Sequence, residues 1–202
     1  MRLYYSPGAC SLSPHIVLRE LGCDFALERV DPATKRTETG RDFVAVNRKG
    51  YVPALEFDDG AVLTEGAAII QYLADIRPEA KLAPAAGTMQ RARLQEQLVF
   101  IASELHNAFT PLFNDKAAEA EKSAAPQRIA RRFDDIEAVL TDRRPYLLGE
   151  NFSVADIYLF VVASWTKPAG IGLDKWPHLH AHYARMAARP AVQAAMQAEG
   201  LD

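Results

Sequence analysis

Cysteine is scarce in this 202-residue chain: Cys10 and Cys23 are the only two. Two thiols cannot form the dense framework that staples small secreted domains, so the fold must rest on a packed core. Long apolar runs are also missing. No stretch approaches the ~18 residues needed to cross a bilayer, and the richest, Ile157 to Ala163, reads as a buried helix segment. Neither sign of charge is in large excess. A net charge of -3 argues against a nucleic-acid polyanion as the main partner. Arg2, Ser6 and Pro7 interrupt any apolar core of a leader peptide. These absences lead to an expectation of a globular protein of the reducing cytoplasm, with no membrane partner. The apolar share of 49% and charged share of 24% suit one domain or two small ones.

Two halves follow different rules. Residues 1–77 alternate strand and helix: Leu3 to Tyr5, a helix Pro14 to Leu21, a strand Phe25 to Val30 and a short polar helix near Arg41 to Val46. Tyr51 to Phe57 leads into a third strand, and Asp59-Gly60 is a hairpin signal joining it to Ala61 to Leu63. Gly66 to Ala74 closes the unit as a helix. The order βαβαββα predicts a mixed sheet flanked by helices. Residues 78–88, with Pro78, Pro84 and Gly87, read as a linker, and 89–202 as an all-helical domain. There, Leu94, Leu98, Ile101, Leu105 and Leu112 form one apolar stripe, and Ile129, Phe133, Ile136 and Leu140 another. Ser153 and Asp156 have capping-box spacing, with Phe152 and Ile157 as a hydrophobic staple. The helix they open is apolar nearly all round and belongs at the centre of its domain.

Cys10 stands where the first strand gives way to the first helix. Unpaired backbone N–H groups and the helix dipole favour a thiolate there. At a pKa near 8.5 only ~3% of a thiol is ionised at pH 7; at about 7 the fraction is roughly half. Ser13, not a second cysteine, lies three residues on, so the layout favours chemistry with an external small thiol. Val52-Pro53 precedes a strand, where a cis bond would present backbone groups to an extended peptide, and a plain turn is the alternative. Glu65-Gly66 opens a helix, where free N–H groups suit a carboxylate and Glu65 an ammonium; helix-start electrostatics alone would also account for Glu65. Val99, Ser103, His106, Thr110 and Phe113 share a second face of the long helix, as a cleft wall would. His106 titrates near neutrality and could donate or act as base, or simply lie at the surface. Trp165 is either core or pocket wall, and Cys23 is expected in the core beneath the first helix. His178, His180 and His182 lack the pattern of a metal site.

Taken together, Ser6 to Ser11, Tyr51 to Leu55, Thr64 to Ile69, Ser103 to His106, Ser153 to Asp156 and the ending Arg189-Pro190 to Leu201 resemble the cytosolic glutathione transferases. The likeness is greatest to the bacterial beta class, with its cysteine at the first strand–helix junction. The resemblance implies a thioredoxin-like α/β N-terminal domain, an all-α C-terminal domain and a homodimer. It implies glutathione as cosubstrate, no tightly bound cofactor, no metal, and a small hydrophobic electrophile as second substrate. Carried over residue by residue, it gives Val52 and Pro53 the cysteinyl part of glutathione, Glu65 and Gly66 the γ-glutamyl end, and Lys35 the glycyl carboxylate. Cys10 and His106 flank the sulfur, Ser103 and Glu104 reach the peptide from the partner subunit, and Phe113 and Trp165 line the electrophile site. Val99 and Gly66 replace polar residues of many relatives. Cys10 either hydrogen-bonds the glutathione sulfur or forms a mixed disulfide with it, which would add disulfide reductase activity; Tyr5 and Ser11 are the fallback hydroxyls. The rival expectation is a non-catalytic protein that binds glutathione or apolar ligands with the same fold.

Overall fold

The computed structural model describes residues 1–201. Its strands are β1 (Arg2–Tyr5), β2 (Ala26–Arg29), β3 (Ala54–Glu56) and β4 (Val62–Thr64). The first helices are α1 (Leu12–Glu20), α2 (Phe43–Val46) and α3 (Gly66–Asp75), followed by a 3-10 turn at Pro78–Ala80. Then come α4 (Met89–Phe100), a π-helical segment Ile101–His106, α5 (Asn107–Phe113), α6 (Glu119–Leu140), α7 (Val154–Ser164), α8 (Pro177–Ala187) and α9 (Pro190–Glu199). The described chain divides into two compact units, residues 1–81 with 188–201 and residues 82–187.

In the first unit the sheet order is β2-β1-β3-β4, with β1 and β2 parallel and the other pairs antiparallel. Leu3 lies opposite Leu55, and Tyr4 opposite Ala54. Side chains alternate across a strand, so these two pairs serve opposite faces. Tyr4 and Ala54 pack with Val30 and Phe43 in one cluster. On α1 and α3, Ile16, Val17, Leu18, Ile69, Ile70 and Leu73 are wholly buried, each worth roughly 1.5–3 kcal/mol of transfer free energy. Strand β2 is shorter than expected and lies at the sheet edge. Its buried Glu28 accepts a bond from the Thr39 hydroxyl at 2.5 Å.

Two expectations need correction. The reading of 89–202 as one domain fails at its end, because α9 belongs to the first unit and packs on α1. Arg189 forks onto the Glu20 carboxylate at 2.7 and 3.0 Å. Deeper in, the buried Glu199 carboxylate accepts His15 Nδ1–H at 2.8 Å and the Gly8 N–H at 2.9 Å. Arg19 Nε donates to His15 Nε2, so the imidazole carries its proton on Nδ1. Cys23 is not core: it is half-buried, beside a surface groove of about 480 Å³ with Arg19, Phe25 and Pro190. It sits past the end of α1, after the apolar face has run out.

In the second unit α7 is buried from Val154 to Ala163, as its uniformly apolar sequence requires. Its start is fixed by Asp156, whose Oδ2 accepts from the Ser153 N–H and hydroxyl at 2.9 and 2.8 Å. Oδ1 accepts from the Leu147 N–H and His182 Nε2 at 2.8 and 2.9 Å. The long helix expected after the linker is α4, the π segment and α5 in continuous succession. Among the described residues no helix is long and apolar enough to cross a membrane.

Candidate active site

The loop between β1 and α1 is held by Ser11. Its hydroxyl donates to the Ser6 carbonyl at 3.2 Å and accepts the Ser6 N–H at 3.1 Å. Ser11 is fully buried and braces this loop, so it is no fallback hydroxyl for a ligand. Gly8 turns the same loop at φ +70°, and a Cβ there would lie 3.4 Å from Leu201. That contact is ordinary, so it is the backbone angle that calls for glycine.

This loop delivers Cys10 to the start of β3. The Cys10 thiol donates to the Val52 carbonyl at 3.4 Å, and the Val52-Pro53 bond is cis. Burial pushes the thiol up to about 11, with the Glu65 charge adding to the rise and local backbone N–H groups opposing it. Cys10 is half-buried, and the partial loss of water around its sulfur outweighs the backbone field. The shift runs against the thiolate expected from the helix start, and the thiol is protonated at neutral pH.

Pro53 links this point to a charged pair. A Cβ on Gly66 would stand 3.6 Å from Pro53 Cγ, ordinary contact, so glycine is not sterically required there. Glu65, at the start of α3, adopts φ +69°, in the left-handed region that L-residues rarely occupy. Such strain concentrates where surrounding structure must aim a side chain. Lys49 Nζ lies 2.5 Å from Glu65 Oε1 and 3.3 Å from Thr64 Oγ1, and the Tyr51 hydroxyl donates to the same Oε1 at 3.2 Å. The Lys49 ammonium holds the Glu65 carboxyl below its ordinary value. Sequence reasoning missed Lys49 and Tyr51. A cation and a phenol flanking Gly50 just before Val52-Pro53 were the available signal. Lys35 is half-buried at φ +57°, with its aliphatic stem near Gly50.

In the second unit the π segment carries Ser103, Glu104 and His106. A π turn takes one residue more than an α turn, and such turns recur at functional sites. Ile101 and Leu105 stay in the core while Ser103 and Glu104 remain exposed. The Ser103 hydroxyl donates to the Val99 carbonyl at 2.9 Å, and Glu104 pairs with Arg132 at 2.8 Å. His106 is half-buried, with Nδ1 2.9 Å from the Tyr158 hydroxyl. Its ring meets Trp165 edge-on at 4.7 Å, and burial lowers its pKa, so it is neutral at pH 7. Trp165 is buried and Phe113 is 53% exposed, with ring centroids 5.8 Å apart and Phe109 against both. Val99 is exposed, in keeping with an open second face. The histidines near the chain end have structural partners: His178 with Glu137, and His182 with Asp156.

Comparison with known proteins gives a consistent answer. Residues 8–76 match the model of the glutathione S-transferase N-terminal domain, and residues 100–190 that of the C-terminal domain. The chain is 45% identical to the glutathione S-transferase GstA of Escherichia coli O157:H7 over 201 residues, covering both chains completely. Among solved structures it is similar to a bacterial beta class glutathione S-transferase of Sphingomonas chungbukensis, at 48% identity and a TM-score of 0.96. It is also similar to a sphingomonad glutathione S-transferase complexed with glutathione, at 46% identity and a TM-score of 0.95. Each of these two alignments covers all of both chains.

Proposed function

The chain belongs to the glutathione S-transferase family, and on that premise we propose that it binds glutathione, stabilises its thiolate and directs it at a small apolar electrophile. The observation that carries this reading is the Cys10 thiol on the Val52 carbonyl, next to the Glu65–Lys49 pair. The backbone just before β3 thus offers a sulfur contact, a carbonyl acceptor and charges for an amino-acid end. Val52 lies outside the ladders that β3 makes with β1 and β4, so an extended peptide can pair with it as a strand would.

Glutathione is a cosubstrate, and no tightly bound cofactor is required. Its cysteinyl segment pairs with Val52 beside Pro53, its γ-glutamyl end meets Glu65 and the N–H groups at Gly66, and Lys35 takes the glycyl carboxylate. A peptide N–H is a stronger donor than S–H, so it claims the Val52 carbonyl. The Cys10 S–H is then free to donate to the glutathione sulfur and favour its ionised form. A thiol held near 11 suits a donor and does not suit a nucleophile, which favours conjugation over mixed-disulfide reduction. His106, neutral and half-buried, is a second donor for the sulfur, and Phe113 with Trp165 supplies the apolar wall for the electrophile. The working form is a homodimer of the cytoplasm in which Ser103 and Glu104 serve the partner's glutathione.

The test is retention on glutathione-agarose, then turnover of a chlorodinitrobenzene-type electrophile and of a glutathione mixed disulfide. We expect retention and conjugation, with Cys10→Ala slower in conjugation and Cys10→Ser retaining most of it. Retention without either turnover would make this a binding protein. A Cys10→Ser variant that lost only disulfide turnover would assign the cysteine to reductase chemistry. Sedimentation of the full chain at the mass of a monomer would remove the dimer.

A further inference from the structure

Lys49 is given no ligand contact of its own above, yet it makes the closest contact of Glu65. Its ammonium has three N–H donors. Two are directed at Glu65 Oε1 and Thr64 Oγ1, 2.5 and 3.3 Å away, which anchors the side chain at the end of β4. The Tyr51 hydroxyl meets Oε1 as well. Among the described residues nothing donates to Glu65 Oε2. The pair therefore offers a free carboxylate oxygen and a free N–H donor side by side. An α-amino-acid end carries the mirror image of this, an ammonium and a carboxylate on one carbon.

We infer that Lys49 is a substrate-binding residue: it binds the α-carboxylate of the γ-glutamyl end while Glu65 Oε2 binds the adjoining ammonium. This inference rests on the glutathione reading above and adds a determinant to it. Both partners of the pair are about half exposed, so in the free protein their attraction is screened and worth little. A bound peptide excludes water from them, and two charge-assisted contacts then act together. Lys49 also offsets the desolvation of Glu65, which would otherwise face the ligand as an isolated anion. The site should thus distinguish an intact amino-acid end from one lacking either charge.

The experiment measures calorimetric affinities of the full-length wild type, Lys49→Met and Lys49→Arg. The probes are glutathione and its 4-aminobutyryl analogue, which lacks only the α-carboxylate. Wild type should bind glutathione roughly tenfold more tightly than the analogue. Lys49→Met should lose that preference by weakening glutathione alone, and Lys49→Arg should restore most of it. Equal weakening of both peptides by Lys49→Met would overturn the assignment and make Lys49 a support for the loop. Tighter glutathione binding by Lys49→Met would overturn it too, showing Lys49 to be a competitor for Glu65. If wild type binds neither peptide, the glutathione reading fails along with it. Glutathione binding without preference over the analogue would sink the Lys49 role alone.

Discussion

Cys10 shows how one side chain carries two opposed influences. The helix start favours its anion and burial opposes it, and burial prevails. Its pKa in the fold, about 11, lies above the 9.0 of an ordinary thiol, so the folded state retains the proton that the unfolded chain releases first. The resulting stabilisation is complete below pH 9 and is lost as pH rises through 11. Thiolate absorbance of a Cys23→Ser variant should therefore stay flat to pH 9 and rise only towards 11; a midpoint near 7 would contradict this geometry. Gly66 invites the opposite kind of change. Its φ is ordinary for any residue, and a Cβ would lie in normal contact with Pro53. Gly66→Ser should fold normally and add a hydroxyl at the N-terminus of α3, lowering the KM for glutathione severalfold with kcat little changed. Steady-state kinetics with varied glutathione would decide it.

At the scale of elements, two buried carboxylates hold helix ends in place. Glu199 ties α9 to α1 through His15 and to the Cys10 loop through Gly8. Glu199→Ala would leave the His15 ring N–H without its acceptor out of water and remove the carboxylate that holds the Gly8 N–H, a loss of about 3 kcal/mol. Urea denaturation should read that loss as a lower midpoint with an unchanged slope. Asp156 holds α7 by four bonds spread over the Leu147 loop, Ser153 and His182. The capping box was legible at that position because its partners are three residues apart. The bond to His182, 26 residues away, was not. The π segment was likewise hidden, since the leucine stripe runs through it and the face bearing Ser103 and His106 reads as ordinary helix.

For the molecule as a whole, the consequence is a first unit made of both ends of the chain. Val192 and Ala195 of α9 are fully buried, and the Arg189–Glu20 fork closes the same contact. Truncation after Ala187 would expose the α1 face and strand the buried His15. The shortened chain should lose cooperative melting of the first unit and become protease-sensitive between residues 1 and 81, as mass mapping of the fragments would show. A truncated chain that melted as the full one does would contradict the role given to α9.

What the sequence determined by itself was local: the strand and helix order, the cysteine at a strand–helix junction, the glutamate at a helix start and the capping box of α7. Each depends on residues a few positions apart, within reach of periodicity and turn chemistry. Tertiary structure alone decided the proton on Cys10, the partner of Glu65, the setting of His106 and the unit to which α9 belongs. Those depend on contacts spanning 42, 16, 52 and 184 residues respectively. Charge states follow from what surrounds a group in space, and one-dimensional spacing holds no record of that.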